Sequence, residues 1–235
     1  AEEGAPHGTI VVADRQTAGR GRRGRSWESP AGSSIYFTIV IRPLFSPEKA
    51  SMVTLVMALS VAEAIHEVTG LDTGIKWPND IVVNGKKVVG ILTEMSMTPE
   101  MHEMQFLVAG VGVNVNQNRT EDFPEEIRKA ATSLQIEAGH QFDRAGLLAC
   151  ILARFEEDYE TFERALTLSE LKERYESRLV GRNAVVRVLD PEGEYTGTSR
   201  GITETGELIV ERENGERIRV YAGEVSVRGL YGYAE

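Results

Sequence analysis

The chain has 235 residues, 41% of them hydrophobic, and a formal net charge of −10. That size and apolar content suit one large domain beside a small one, and the acidic total excludes an extended basic face for polyanions. The single cysteine, Cys150, excludes an intramolecular disulfide, and no metal-ligand spacing links His7, His66, His102 and His140.

Residues 9–13 read as a short apolar strand that runs through Asp14 into Gly19-Arg20-Gly21-Arg22-Arg23-Gly24-Arg25-Ser26-Trp27, and a second strand follows at 34–41. Four arginines within six residues, against a negative background, mark an anion site. Arginine keeps its charge and offers a planar fork of donors, and the glycines let the backbone approach a ligand closely. A basic tail has no reason to lie between two core strands. Packed like charges and glycine entropy predict a loop that is mobile when empty and folds over a phosphorylated ligand.

Ser46-Pro47-Glu48 predicts a serine-capped helix start, with Met52, Leu55, Val56, Leu59 and Ala62 forming an apolar stripe to Gly70. A strand is expected at 74–77. Residues 81–89 read as two strands around an Asn84-Gly85 turn, a hairpin that aims Lys86 and Lys87. Strands at 91–95 and 105–115 extend an antiparallel or mixed sheet. Asp122-Phe123-Pro124 predicts a short helix start. Asp143 predicts the cap of a helix through Phe162, whose apolar periodicity assigns Cys150 to packing, and Ser169 the cap of a shorter helix through Arg178. No apolar run reaches the roughly 18 residues that a bilayer span needs.

Beyond residue 181 the texture becomes short β runs at 184–189, 195–202, 207–211, 217–221 and 225–228, separated by turn clusters such as Asn214-Gly215. They fit a small five-strand barrel. The expected domains are 1–181 and 182–235.

Four ordered motifs resemble the biotin protein ligases: the Gly19 to Trp27 loop; Lys76-Trp77-Pro78-Asn79-Asp80; Gly85-Lys86-Lys87-Val88-Val89-Gly90-Ile91-Leu92-Thr93-Glu94; and Gly110-Val111-Gly112-Val113-Asn114. The resemblance runs from about residue 9 to the C-terminal end. It implies an α+β fold, with a mixed-sheet catalytic domain of the class II synthetase-like type and an SH3-like β-barrel domain. It also implies ATP and biotin as substrates, Mg²⁺, a biotin carboxyl carrier protein as acceptor, and a cytoplasmic enzyme. A homodimer is an option within the family, and DNA becomes a partner only where an N-terminal helix-turn-helix precedes the ligase. No membrane partner is expected. The opening Ala-Glu-Glu-Gly has no charged and apolar leader and reads as a cut or a missing lead-in. The family's upstream Ser-Thr-Asn segment has no counterpart here.

Joining a carboxylate to an amine is uphill, and the family spends ATP to form biotinyl-5′-AMP before the carrier lysine attacks. Both steps concentrate negative charge, which fixed cations in a water-poor site stabilise. Carried over, Gln16, Gly19, Arg20, Gly21, Arg22, Lys87, Gly90 and Gly112 are the expected biotin-binding residues. Arg20, Arg22, Arg25, Lys76, Asn79 and Asn114 are the expected ATP-binding residues. Lys87, Arg22 and Asp80 are the expected catalytic residues, with Asp80 the Mg²⁺ ligand, direct or through water. From the residues alone, Lys87 is an exposed hairpin lysine, Asn114 a polar strand end, and Trp27 and Trp77 packing anchors. Phe123 reads as a helix-start staple or a cover for adenine.

Two rivals differ in class. A lipoate-type acyl-adenylating ligase would share the chemistry, and competition between biotin and lipoate separates the two. A phosphate-binding nucleic-acid module would show salt-dependent affinity for random duplex, indifferent to biotin and ATP.

Overall fold

The structure, a computed structural model, describes residues 1–24, 27, 30–98, 103–190 and 193–222 and the backbone of 226–229; of Arg23 it describes the backbone alone. The large unit holds β1 (Ile10–Ala13), β2 (Ser34–Ile41), α1 (Ala50–Thr69), β3 (Gly74–Lys76), β4 (Asp80–Val83), β5 (Lys86–Met97), β6 (Met104–Asn114), α2 (Leu134–Ala138), α3 (Arg144–Ala165) and α4 (Lys172–Arg178). The small unit holds β7 (Val185–Leu189), β8 (Tyr195–Ile202), β9 (Leu208–Glu211), β10 (Arg217–Val220) and β11 (Ser226–Gly229).

The first sheet has the order β1-β2-β6-β5-β4-β3 and the second β10-β9-β8-β7-β11. Every ladder between these strands is antiparallel; the parallel pairings are the isolated bridges Ile75 to Leu179 and Lys87 to Ala131. Strand alternation separates the two faces of the large sheet. Ile35, Phe37, Val89, Ile91, Val111 and Val113 are buried in the core. Thr38, Gly90, Leu92, Glu94, Gly110 and Gly112 occupy the alternate positions and line a cavity on the opposite face.

Helix α1 lies against this core. It ends at Gly70, whose φ of 70° and N–H bond to the His66 carbonyl close the last turn. The expected serine start is corrected: residues 47–49 form a 3₁₀ turn, and the Ser46 side chain makes no cap bond. A second correction concerns length. Residues 47–69 are long and apolar enough to cross a membrane, but α1 is apolar on nearly every side because the sheet and α3 cover it.

The Asn84-Gly85 turn forms as expected, with φ of 49° and 74°. Asp143 caps α3 by accepting from the Ala145 and Gly146 amides. Cys150 packs at the edge of the core, where burial pushes its thiol pKa up. Two helix starts are corrected. After Phe123 the chain forms turns, and the helix here is α2, capped by Ser133. Helix α4 starts after Leu171 without a side-chain cap, because Ser169 bonds to Thr167 instead.

Candidate active site

The cavity, about 290 Å³, lies at the small end of the size range of small-molecule sites. Its floor is built from two glycines. Gly90 on β5 and Gly112 on β6 are direct cross-strand partners, and the Trp27 ring lies on both. A Cβ on Gly90 would come within 2.7 Å of Trp27 Cζ3, and one on Gly112 within 2.7 Å of Cε2 and Nε1. The Trp27 amide donates to the Gly19 carbonyl at 2.9 Å, closing the arginine loop behind the ring.

Lys87 reaches this face through a bulge. Ile81 pairs with Val89, but the next residue, Val82, pairs with Lys87, leaving Val88 as the extra residue in β5. Simple alternation from Val89 and Ile91 would turn Lys87 into the core; the bulge turns it to the side of Asp80 and Gly90. Its backbone is pinned on the other flank, where its N–H donates to the Ala130 carbonyl at 2.7 Å and its carbonyl accepts from the Thr132 amide at 2.9 Å. Its ammonium lies 2.6 Å from Asp80 Oδ1 and 5.2 Å from the Trp27 ring centroid. Both members of the ion pair are largely sheltered from solvent, which strengthens it over an exposed pair.

Asn79 ties the arginine loop to the sheet. Its Oδ1 accepts from Arg22 Nη1 at 2.8 Å, while its Nδ2 donates to the Ile91 carbonyl at 3.0 Å and lies 3.2 Å from Asp80 Oδ1. Arg22 Nη2 also donates to the Ala222 carbonyl. At the outer rim, Arg20 Nη2 bonds Glu94 Oε2 at 2.9 Å. Arg20 and Arg22 therefore each have their own acceptor, so charge repulsion does not hold the described part of the loop away from the sheet.

Of the residues expected from sequence, Gln16, Arg20, Gly21, Arg22, Asn79, Lys87, Gly90 and Gly112 line the cavity together. Asp80 stands behind Lys87. Gly19 contributes its carbonyl to the loop closure, and Lys76 sits across from Asp80 on β3, outside the cavity wall. The structure does not bring the Asn114 side chain to the cavity: its Nδ2 donates to the Thr132 carbonyl at 3.1 Å, and its Oδ1 accepts from Gln117 at 3.4 Å. Arg25 lies outside the described residues. Phe123 is buried away from the cavity. Sequence reasoning missed Trp27, Thr38, Glu94 and Gly110 as lining residues. For Thr38, Glu94 and Gly110 the signal was the alternation on β2, β5 and β6, which places Thr38 directly across from Gly110; Trp27 lies in the loop, outside any such pattern.

No group of three or more metal-ligating side chains occurs among the described residues. A single carboxylate beside an anion-binding cavity does fit a Mg²⁺ whose other ligands are phosphate oxygens and water. Three cations, Arg20, Arg22 and Lys87, line the cavity against one carboxylate, Glu94. The arrangement suits a small ligand carrying negative charge next to an uncharged, glycine-floored slot.

The sequence matches the Biotin/lipoate A/B protein ligase family over residues 2–114 and the Biotin protein ligase C terminal domain over 185–228. It is 39% identical over 227 residues to the bifunctional ligase/repressor BirA of Bacillus subtilis, covering 97% of this chain and 68% of that protein. It is 32% identical over 224 residues to the biotin–[acetyl-CoA-carboxylase] ligase of Paracoccus denitrificans, covering 93% of this chain and 90% of the relative. The fold superposes on the biotin protein ligase from Aquifex aeolicus in complex with biotin and ATP with a TM-score of 0.84 and 36% identity, covering 96% and 91% of the two chains. The matched regions fall on the two sheets, and the relatives align across both, so the chain belongs to the biotin protein ligase family.

Proposed function

We propose that the chain uses ATP to biotinylate a lysine of a biotin carboxyl carrier protein through biotinyl-5′-AMP. The observation that carries this reading is the convergence of Lys87 and Arg22 on the cavity floored by the Gly90–Gly112 pair. In the first step a biotin carboxylate oxygen attacks the α-phosphorus of ATP. A new O–P bond forms, and the bond to the bridging oxygen of the β-phosphate breaks, releasing pyrophosphate. In the second step the neutral carrier amine attacks the acyl carbon, the acyl–oxygen bond breaks, AMP leaves and the nitrogen sheds a proton.

Lys87 and Arg22 neutralise the mutual repulsion of carboxylate and phosphate, and the glycine floor lets the Trp27 ring lie against the sheet instead of standing into the ligand's path. Lys87 can exchange part of its contact with Asp80 for a substrate carboxylate; Asp80 is the residue that would hold Mg²⁺, which would screen phosphate charge when bound. Gln16 offers an amide to the uncharged end of biotin. Arg20 and Gly21 belong to the covering loop, and Lys76 supplies a cation to the nucleotide side. We place the boundary between the catalytic and C-terminal domains at 181/182, a few residues before the second matched region and the second sheet, both of which begin at Val185. A second copy and DNA are partners to be tested on the full-length protein by sedimentation and operator binding.

The test is biotin-dependent exchange of labelled pyrophosphate into ATP. Wild type exchanges, and Lys87→Ala lowers the rate at least a hundredfold, in the range expected for loss of one preorganised donor. Lipoate should not compete. Absence of exchange in wild type, or equal competition by lipoate, would overturn the reading.

A further inference from the structure

Trp77 sits in the turn between β3 and β4, 4% exposed, and its indole Nε1–H donates to the Gly206 carbonyl at 3.0 Å. Gly206 belongs to the turn between β8 and β9, so this bond crosses from the large sheet's unit to the small one. That turn is seated inside the large unit. The Leu168 amide donates to the Glu204 carbonyl at 2.7 Å, and a Cβ on Gly206, where φ is 90°, would lie 3.2 Å from Leu55 and 3.5 Å from Met52 on α1.

The other end of the Trp77 turn carries the site. Asn79 holds Arg22, and Asp80 holds Lys87. Arg22 itself reaches the small unit at the Ala222 carbonyl. A phenyl ring could fill the same apolar space, but a buried indole also has an N–H that must find an acceptor, which gives the contact a direction. The small unit thus grips the two pieces of chain that set Arg22 and Lys87.

We propose that Trp77 is a positioning residue for adenylate formation: its indole N–H, held by the Gly206 carbonyl, lets the C-terminal unit fix the turn that places Asn79 and Asp80, and through them Arg22 and Lys87. This rests on the adenylating reading above.

The test compares wild type with Trp77→Phe and with a protein carrying β-(3-benzothienyl)alanine at position 77, which keeps the bicyclic outline and replaces N–H by sulfur. Three readouts are taken: thermal unfolding, kcat and biotin KM in pyrophosphate exchange, and amide hydrogen exchange at residues 77–80 and 203–207. Both substituted proteins are expected to melt within about 5 °C of wild type. Their kcat should fall about three- to tenfold, the size of one hydrogen bond, with biotin KM changed less than twofold. Amide exchange should quicken in both turns together.

Wild-type kcat in the benzothienyl protein would overturn the proposal, because shape alone would then suffice. So would a loss of kcat that only follows the unfolded fraction, unchanged amide exchange, or failure of both substituted proteins to fold. If wild type exchanges no pyrophosphate, the ligase reading fails by itself, while the amide exchange still decides whether the N–H couples the two turns.

Discussion

Glycine is required at Gly90 and Gly112 because an aromatic ring lies on their backbones, not because their dihedrals are unusual. A Cβ at Gly112 would meet three atoms of the Trp27 ring at 2.7–2.9 Å, and the central strand β6 cannot retreat from its partners. The ring must therefore lift. Gly112→Ala is expected to keep the fold, since the added methyl faces the cavity and not the core, but to raise the biotin KM at least tenfold because the lifted Trp27 ring takes up space in the cavity. Exchange kinetics and a melting curve check both halves; an unchanged KM would mean that the ligand does not use the glycine floor. At this scale the sequence was readable where chemistry is local. The resemblance marked Gly112 and Lys87, and both line the cavity. The partner of each cation was not readable, because Arg20 meets Glu94 74 residues away and Arg22 meets Asn79 57 residues away. The bulge at Val88 was hidden as well: a run of apolar residues in a buried strand does not reveal which of them is extra.

Elements with a local punctuation mark appear where the sequence placed them. The Asn84-Gly85 hairpin, the Asp143 cap and the β runs of the small unit each depend on residues within a few positions of one another. Ser169 shows the limit of that logic, since a serine at the right distance is a cap only if no nearer partner takes its hydroxyl. Helix α4 lacks a side-chain cap and owes its place to packing, with Tyr175 fully buried on its inner face. The Tyr175 hydroxyl has no hydrogen-bond partner among the described residues. Burial pushes its phenol pKa far above the usual tyrosine range. The folded state therefore holds the proton after the unfolded chain has lost it. Its contribution to stability is fully present below the unfolded pKa of about 10 and declines as pH rises past it. Tyr175→Phe removes an unsatisfied buried group and should stabilise the protein by roughly 1 kcal/mol at neutral pH. It should also flatten the alkaline loss of stability by up to about 1.4 kcal/mol per pH unit above 10. Denaturant unfolding at pH 7 and 10.5 measures both; a destabilised variant would show that the hydroxyl is satisfied in solution.

At the scale of the whole molecule the two sheets share one continuous apolar core, in which Val186, Val188, Ile202 and Leu208 of the small unit join the residues around α1. The polar complement of that shared core is Glu176 on α4, 7% exposed. Its carboxylate meets Lys172 at 2.5 Å and Arg182 at 3.1 Å, and accepts the Ile202 amide of β8 at 2.9 Å. Gly201, with φ of 116°, permits the approach, since a Cβ there would lie 2.2 Å from Glu176 Oε1. The two cations keep access to water, so their loss of a partner costs little; the buried Ile202 amide has no such escape. Leaving that donor unpaired should dominate, and Glu176→Ala is expected to cost about 2–3 kcal/mol. Glu176→Gln keeps an acceptor for the amide and should cost about 1 kcal/mol less than the alanine variant. If the charge were the larger effect, the two variants would be equally unstable, and high salt would bring wild type down toward them. Because the core is continuous, both variants should still unfold in a single transition seen alike by circular dichroism and, in a Trp27→Phe background, by fluorescence of Trp77, which then reports the junction. Two separated transitions would show that the small unit folds on its own, and that Glu176 only docks it.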